Sequence, residues 1–293
     1  MKTILTILLI ILIGYLPNFT FAQDIPDSTQ LHLIETIGGN QYIGIILEEN
    51  LSIVKIKTDE LGEITLNRNI IKKIEPIERK QMIGSEYWFE NPQATRYFWA
   101  PNGYGLRKGE CYYQNVWLFF NQFAFGLTDN LSLGAGIVPA FLFAGAPTPV
   151  WLTPKFSVPV VKDKFNIGAG ALLGTVIGAE DANFGILYGI ATFGSRDKNL
   201  SIGLGYGYAG GEMAKAPAIN VNAMIRISKG SYFMTENYYI PRDPAIVLIS
   251  LGGRSMVRNV GLDYGLFIPL GSNMSTFVAI PWLGVTVPFG KKK

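Results

Sequence analysis

The chain has 293 residues, with 25 Lys plus Arg against 22 Asp plus Glu; 48% of them are hydrophobic and only 16% charged. Globular chains carry about 25% charged residues, so this deficit, together with 33 Gly and 14 Tyr, points away from a soluble cytosolic enzyme and from disorder. The single Cys excludes an intramolecular disulfide and a cysteine-rich zinc site, and the single His leaves most histidine-based catalytic constellations without parts.

Residues 1–22 read as a secretory signal. Lys2 opens an apolar run from Ile4 to Leu16, Pro17 breaks it, and small residues at Thr20 and Ala22 suit a peptidase cutting between Ala22 and Gln23. The run falls short of the ~20 residues a bilayer-spanning helix needs. No Cys follows it to carry a lipoprotein anchor, and after Gln23 no stretch approaches ~18 uninterrupted apolar residues.

Composition then divides the mature chain near Lys80. Residues 23–80 hold 10 acidic and 7 basic side chains, whereas 28 of the 33 glycines come later. Short Ile- and Val-rich runs at residues 31–37, 42–47, 53–57, 63–66 and 70–74 are separated by Gly38-Gly39-Asn40, Glu48-Glu49-Asn50 and the turn at 59–62, the punctuation of meandering hairpins. The segment resembles the small Sm-like five-stranded barrels. That resemblance implies RNA binding, but an exported and slightly acidic module argues against a phosphate-backbone partner, and no nucleic acid is expected. The reading is a small periplasmic β domain over 23–80, followed by a linker over 81–93.

Beyond it the pattern has a period of two. Leu200, Ile202, Leu204, Tyr206 and Tyr208 alternate with Ser201, Gly203, Gly205, Gly207 and Ala209; Val260, Leu262, Tyr264, Leu266 and Ile268 alternate with Gly261, Asp263 and Gly265. A helix would scatter these apolar residues round its circumference, and each interior Gly would cost it about 1 kcal/mol. Strands of 9–14 residues, low charge and a secretory signal together fit a sheet whose apolar face meets lipid. Over about residues 95–289 the chain resembles bacterial outer-membrane β-barrel proteins. The last strand closes on Gly284, Val287 and Phe289, similar to the carboxy-terminal signal that barrel-assembly machinery reads in that family, with Pro288 inside it and a basic tail, 291–293, after it.

The expected fold class is therefore all-β: an antiparallel transmembrane barrel of about twelve strands, within 94–290, preceded by a small five-stranded domain. Eleven strands are read at 112–127, 131–141, 150–161, 165–177, 184–193, 200–208, 219–228, 232–240, 245–254, 260–270 and 277–289, with short and long connections alternating. Short turns on the periplasmic side require a twelfth strand, placed at Ala94–Ala100, and put both chain ends in the periplasm. Pro139, Pro154, Pro159, Pro269, Pro281 and Pro288 conflict with uninterrupted strands, since each removes a ladder donor.

Gly205, Gly207 and Gly210 match a dinucleotide-binding spacing, but in an alternating strand with no helix after it; no cofactor and no metal is expected. Lys155, Arg226, Glu236, Arg254 and Asp263 fall on inward phases, because Arg or Lys at the midplane of a lipid face costs about 2–4 kcal/mol. They are read as a lumenal charge network, lining a narrow polar pore or neutralising one another in a filled barrel. Tyr97, Trp99, Tyr112, Tyr113, Trp117, Trp151, Tyr238, Tyr239 and Trp282 are candidates for aromatic belts at the membrane interface. The expected function is non-enzymatic, with no catalytic residue: an outer-membrane channel or binding barrel for small polar solutes. The alternatives are an envelope anchor presenting its periplasmic domain to a protein or peptidoglycan partner, and a secreted soluble β-sandwich. Expected partners are outer-membrane lipid and the barrel-assembly machinery.

Overall fold

The computed structural model describes residues 30–84, 86–257, 259–271 and 277–290. Ala22, Gln23 and the 291–293 tail lie outside these residues. The chain divides into two compact units between Trp88 and Phe89.

The first unit is a five-stranded antiparallel sheet: β1 Leu31–Thr36, β2 Gln41–Glu49, β3 Ile53–Thr58, β4 Gly62–Asn67 and β5 Ile71–Ile77. Its order is β4-β3-β2-β1-β5, so the meander returns to pair its last strand with its first. Alternating residues Ile34, Val54, Ile56 and Leu66 form its core. Gly39 and Gly62 take positive φ in its turns, a conformation open to residues without a Cβ.

The second unit is a ring of twelve strands: β6 Glu110–Val116, β7 Phe120–Gly126, β8 Leu131–Ile137, β9 Thr148–Val161, β10 Phe165–Ile177, β11 Phe184–Gly194, β12 Lys198–Ala209, β13 Ala218–Ser228, β14 Ser231–Ile240, β15 Ile246–Val257, β16 Val260–Leu270 and β17 Ile280–Gly290. Each pairs antiparallel with its neighbour in sequence, and β17 pairs with β6 from Gly284 opposite Val116 to Gly290 opposite Glu110, which closes the ring. Among the described residues every strand of the ring has a paired neighbour on both sides, the condition for spanning lipid with strands. Leu204 is 52% and Leu283 62% exposed on the outside, while Ser201, Asn222 and Thr286 point inward and are fully buried. A sandwich would bury those apolar stripes between its layers, so the closed ring overturns the soluble-sandwich alternative.

The twelve strands are not quite the twelve expected. Residues 112–127 are two strands, because the chain reverses at Trp117 and Leu118, with φ of 51° and 64°, and Phe119 N donates to Val116 O at 3.1 Å. Two consecutive positive φ values are the backbone of the hairpin turn that normally takes Asn-Gly; a Trp-Leu pair gives no sequence warning of it. The segment Ala94–Ala100, expected in the wall, is not a strand and lies inside the ring, with Ala94, Tyr97, Phe98 and Ala100 buried. One strand gained and one lost leave the count unchanged.

The prolines are accommodated by where neighbouring strands stop. Successive N–H groups of an antiparallel strand point to opposite neighbours, and Trp117 N donates to Leu283 O, so the odd positions of β17 face β6. Pro281 therefore faces the space past Val116, where β6 has ended; its carbonyl accepts Trp117 Nε1 at 2.7 Å. By the same alternation Pro288 faces past the start of β16, and Pro269 past the start of β17. Pro154 falls in a two-residue gap in the pairing of β9 with β10, Pro159 adjoins a register shift, and Pro139 occupies the first turn of a short helix, Pro139–Phe143.

Candidate functional site

Residues 89–107 enter the ring at the end with short connections, turn back on themselves, and leave at the same end. The turn is a minimal hairpin: Arg96 bridges Pro101, Tyr97 N donates to Ala100 O, and Asn102 N donates to Thr95 O. Its base is clasped by Arg107 and Glu90, and that hydrogen bond holds the Arg107 guanidinium above its ordinary pKa.

Four of the five inward charges read from the sequence close on this hairpin. Asp263 on β16 accepts from Arg254 Nη2 at 3.0 Å and from Arg96 Nη1 at 3.1 Å. Arg254 also donates to Gln93 O at 2.9 Å and Tyr97 O at 2.7 Å. On the far wall, Lys155 Nζ donates to Thr95 O at 3.1 Å and to Tyr104 O. Glu236 Oε2 accepts the backbone N–H of both Trp99 and Ala100 at 2.9 Å, and its Oε1 accepts Tyr238 Oη at 2.7 Å. The fifth, Arg226, stands at the entrance, donating to Phe89 O at 2.8 Å and pairing with Asp197 at 3.2 Å. The network thus grips main-chain carbonyls and amides of the hairpin.

Neutral residues complete the grip. Gln114 donates to Phe98 O, Gln93 to Thr286 O, and Tyr97 Oη to Asn199; Thr192 accepts Gly103 N at 2.7 Å. Each of the twelve strands supplies at least one inward polar side chain that is nine-tenths or more buried, from Gln114 and Gln122 round to Thr286. Phe98 sits against the facing glycines Gly252 and Gly265, where an added Cβ would come within 3.0 and 3.1 Å of its ring. A Cβ at either position would force the ring to shift by a few tenths of an ångström.

Above the hairpin tip, at the end with the long connections, the lumen opens. One cavity of about 280 Å³ is walled by Trp99, Trp117, Phe120, Tyr238, Phe267 and Trp282, with Glu236 at its edge. A second, of about 170 Å³, shares Trp99 and Tyr238 and extends past Lys155 along a wall of small residues that includes Gly134, Ala171 and Gly205. The expectation that Trp99, Trp151 and Trp282 belong to lipid-facing belts is corrected: Trp151 and Trp282 are inward and buried, Trp99 rides on the hairpin, and these rings lie 6.0–6.5 Å apart. The phase of β17 already carries this information, since its outward positions are Leu283, Val285, Val287 and Phe289 and Trp282 has the opposite parity. Of the insertion-signal residues, Val287 and Phe289 face outward, Phe289 lies 6.4 Å from Phe123, and Gly284 faces inward.

A closed antiparallel ring that is apolar outside and polar within decides the class. The chain is an outer-membrane-type β-barrel. No family model matches the sequence, and no curated protein matches it. Among solved structures, the chain is similar to the KdgM porin in complex with disordered oligogalacturonate, at 10% identity and a TM-score of 0.44, over 62% of this chain and 98% of that one. It is also similar to OpdQ of Pseudomonas aeruginosa, at 11% and 0.36 over 86% and 82%, and to OmpT of Vibrio cholerae, at 11% and 0.34 over 90% and 95%.

Proposed function

We propose that this protein is a non-enzymatic outer-membrane barrel that holds a small ligand in the outer half of its lumen, above a stopper formed by residues 89–107. The observation that carries the reading is the hydrogen-bonding of the hairpin to β6, β9 and β11 through β17 by buried side chains. Arg254 and Tyr97 at its centre are 0% exposed, so no water path touches them. The inward charges are engaged on the hairpin, which favours a stoppered binding barrel over the open polar pore expected from their phases. The long connections and the 280 Å³ cavity share one end, and the usual asymmetry of such barrels supports a reading in which that end faces outward and the first unit is periplasmic. The single His of the chain is in β1 of the first unit, so histidine-dependent acyl transfer and proteolysis have no base in the barrel.

The test is conductance in planar bilayers. The parent protein is expected to be silent, and a variant lacking residues 91–106 to give discrete ion steps, with heat-modifiable gel migration verifying that both are folded barrels. Steady ohmic conductance from the parent refutes the stopper.

A further inference from the structure

The cavity at the long-loop mouth has an unusual electrostatic composition. Four of the five tryptophans of the chain, Trp99, Trp117, Trp151 and Trp282, gather within one aromatic cluster at this end. Trp99, Trp117 and Tyr238 line the cavity and are only partly buried. Glu236, 1% exposed, lines the same cavity. Among the described residues the hydrogen bonds to its carboxylate come from neutral groups, including the amides of Trp99 and Ala100 and the Tyr238 hydroxyl, and it forms no ion pair. The cations nearest in the network are committed elsewhere: Arg96 and Arg254 to Asp263, and Lys155 to main-chain carbonyls. A buried carboxylate with hydrogen bonds but no counter-charge is costly to maintain.

Aromatic faces carry negative potential and attract cations, the more so when the cation is desolvated. An anion would meet both the ring faces and the carboxylate with the wrong sign. A neutral polyol would leave most of its hydroxyls without partners against apolar walls. We propose that this mouth binds a small organic cation of the alkylammonium class, held by the faces of Trp99, Trp117 and Tyr238 with Glu236 as its buried counter-charge. The inference rests on the reading of the outer lumen as a binding chamber and adds the ligand's chemistry to it.

The experiment uses the full chain in lipid nanodiscs and follows tryptophan fluorescence. Three probes are titrated: choline, its neutral isostere with carbon in place of the quaternary nitrogen, and the matching carboxylate. Choline is expected to bind at least roughly tenfold more tightly than the isostere, and the carboxylate to give no saturable change. Glu236→Gln is expected to remove the preference. Because that change also touches the hairpin, Trp117→Leu, on the wall, is measured beside it and is expected to weaken choline while leaving the isostere nearly unchanged. Equal binding of choline and the isostere overturns the cationic class and leaves the binding chamber standing. No saturable signal from any probe removes both.

Discussion

Replacing Asp263 by Asn tests the centre of the site. The substitution keeps the shape but exchanges one carboxylate oxygen for an amide that faces guanidinium donors already supplied by Arg254 and Arg96. Both arginines are buried, and Asp263 is the carboxylate with which each pairs. Breaking a buried ion pair by removing one partner costs about 3–5 kcal/mol. The ring does not have to absorb this cost. β16 is held by continuous ladders to β15 and β17, whereas the hairpin is held by side chains, and withdrawing it returns both guanidiniums to water. The docking equilibrium should therefore shift toward the withdrawn state by roughly two to three and a half orders of magnitude. The assay uses Thr95→Cys, a buried hairpin position, in a Cys111→Ser background, with a membrane-impermeant maleimide as the probe of withdrawal. Labelling should accelerate by at least about a hundredfold when Asp263→Asn is added, with heat-modifiable migration unchanged. A rate within a few-fold of the parent would refute the claim that this cluster holds the hairpin.

Three further outcomes are expected. Leu118→Gly should stabilise the barrel by about 1 kcal/mol, because Leu118 is 86% exposed and its φ of 64° suits Gly; denaturant unfolding in detergent measures it, and a destabilised variant contradicts the strained turn. Leu204→Arg, in mid-strand on the outer face, should cost about 2–4 kcal/mol in bilayers; if it costs the same in water-soluble conditions or nothing in lipid, that face does not meet hydrocarbon. In the first unit, Lys72 and Lys55 donate to Glu35 and Glu63 and hold both carboxyls below their ordinary value of 4.5. A depressed folded-state pKa adds stability above the unfolded value that is lost as pH falls through the folded one. The calorimetric transition of this unit in the full chain should therefore weaken as pH falls below 4.5; a midpoint that does not fall there would contradict the assignment.

The wall was legible because strand phase is a strong signal. Leu200 through Tyr208 alternate so cleanly with small residues that inside and outside follow directly, and the inward phases of Lys155, Arg226, Glu236, Arg254 and Asp263 follow with them. The contents of the lumen were harder to read for physical reasons. The Trp117–Leu118 turn uses residues that rarely take positive φ, so the hairpin there carries no compositional mark. Tyr97, Phe98 and Trp99 look like a strand by composition. The neighbouring Asn91-Pro92 and Pro101-Asn102-Gly103 are turn punctuation, and the absence of a period of two from Asn91 to Gly105 is the sign that sets the segment apart. What each charge bonds to is not a local property, since Lys155 reaches Thr95 and Tyr104 across tens of residues of chain.

The need for an insert nonetheless follows from the wall itself. A barrel of about eight strands is filled by its own inward side chains, and the diameter grows roughly linearly with strand number. Here there are twelve strands, and many inward positions are small: Ser132, Gly134, Gly168, Ser201, Gly203, Ser250, Gly252 and Gly265. Side chains of that size leave the centre empty, and a water-filled centre would leave Arg254, Asp263 and Glu236 wet. Their burial requires a separate piece of chain with free carbonyls and amides to meet them, and residues 89–107, which no strand of the ring uses, supply both.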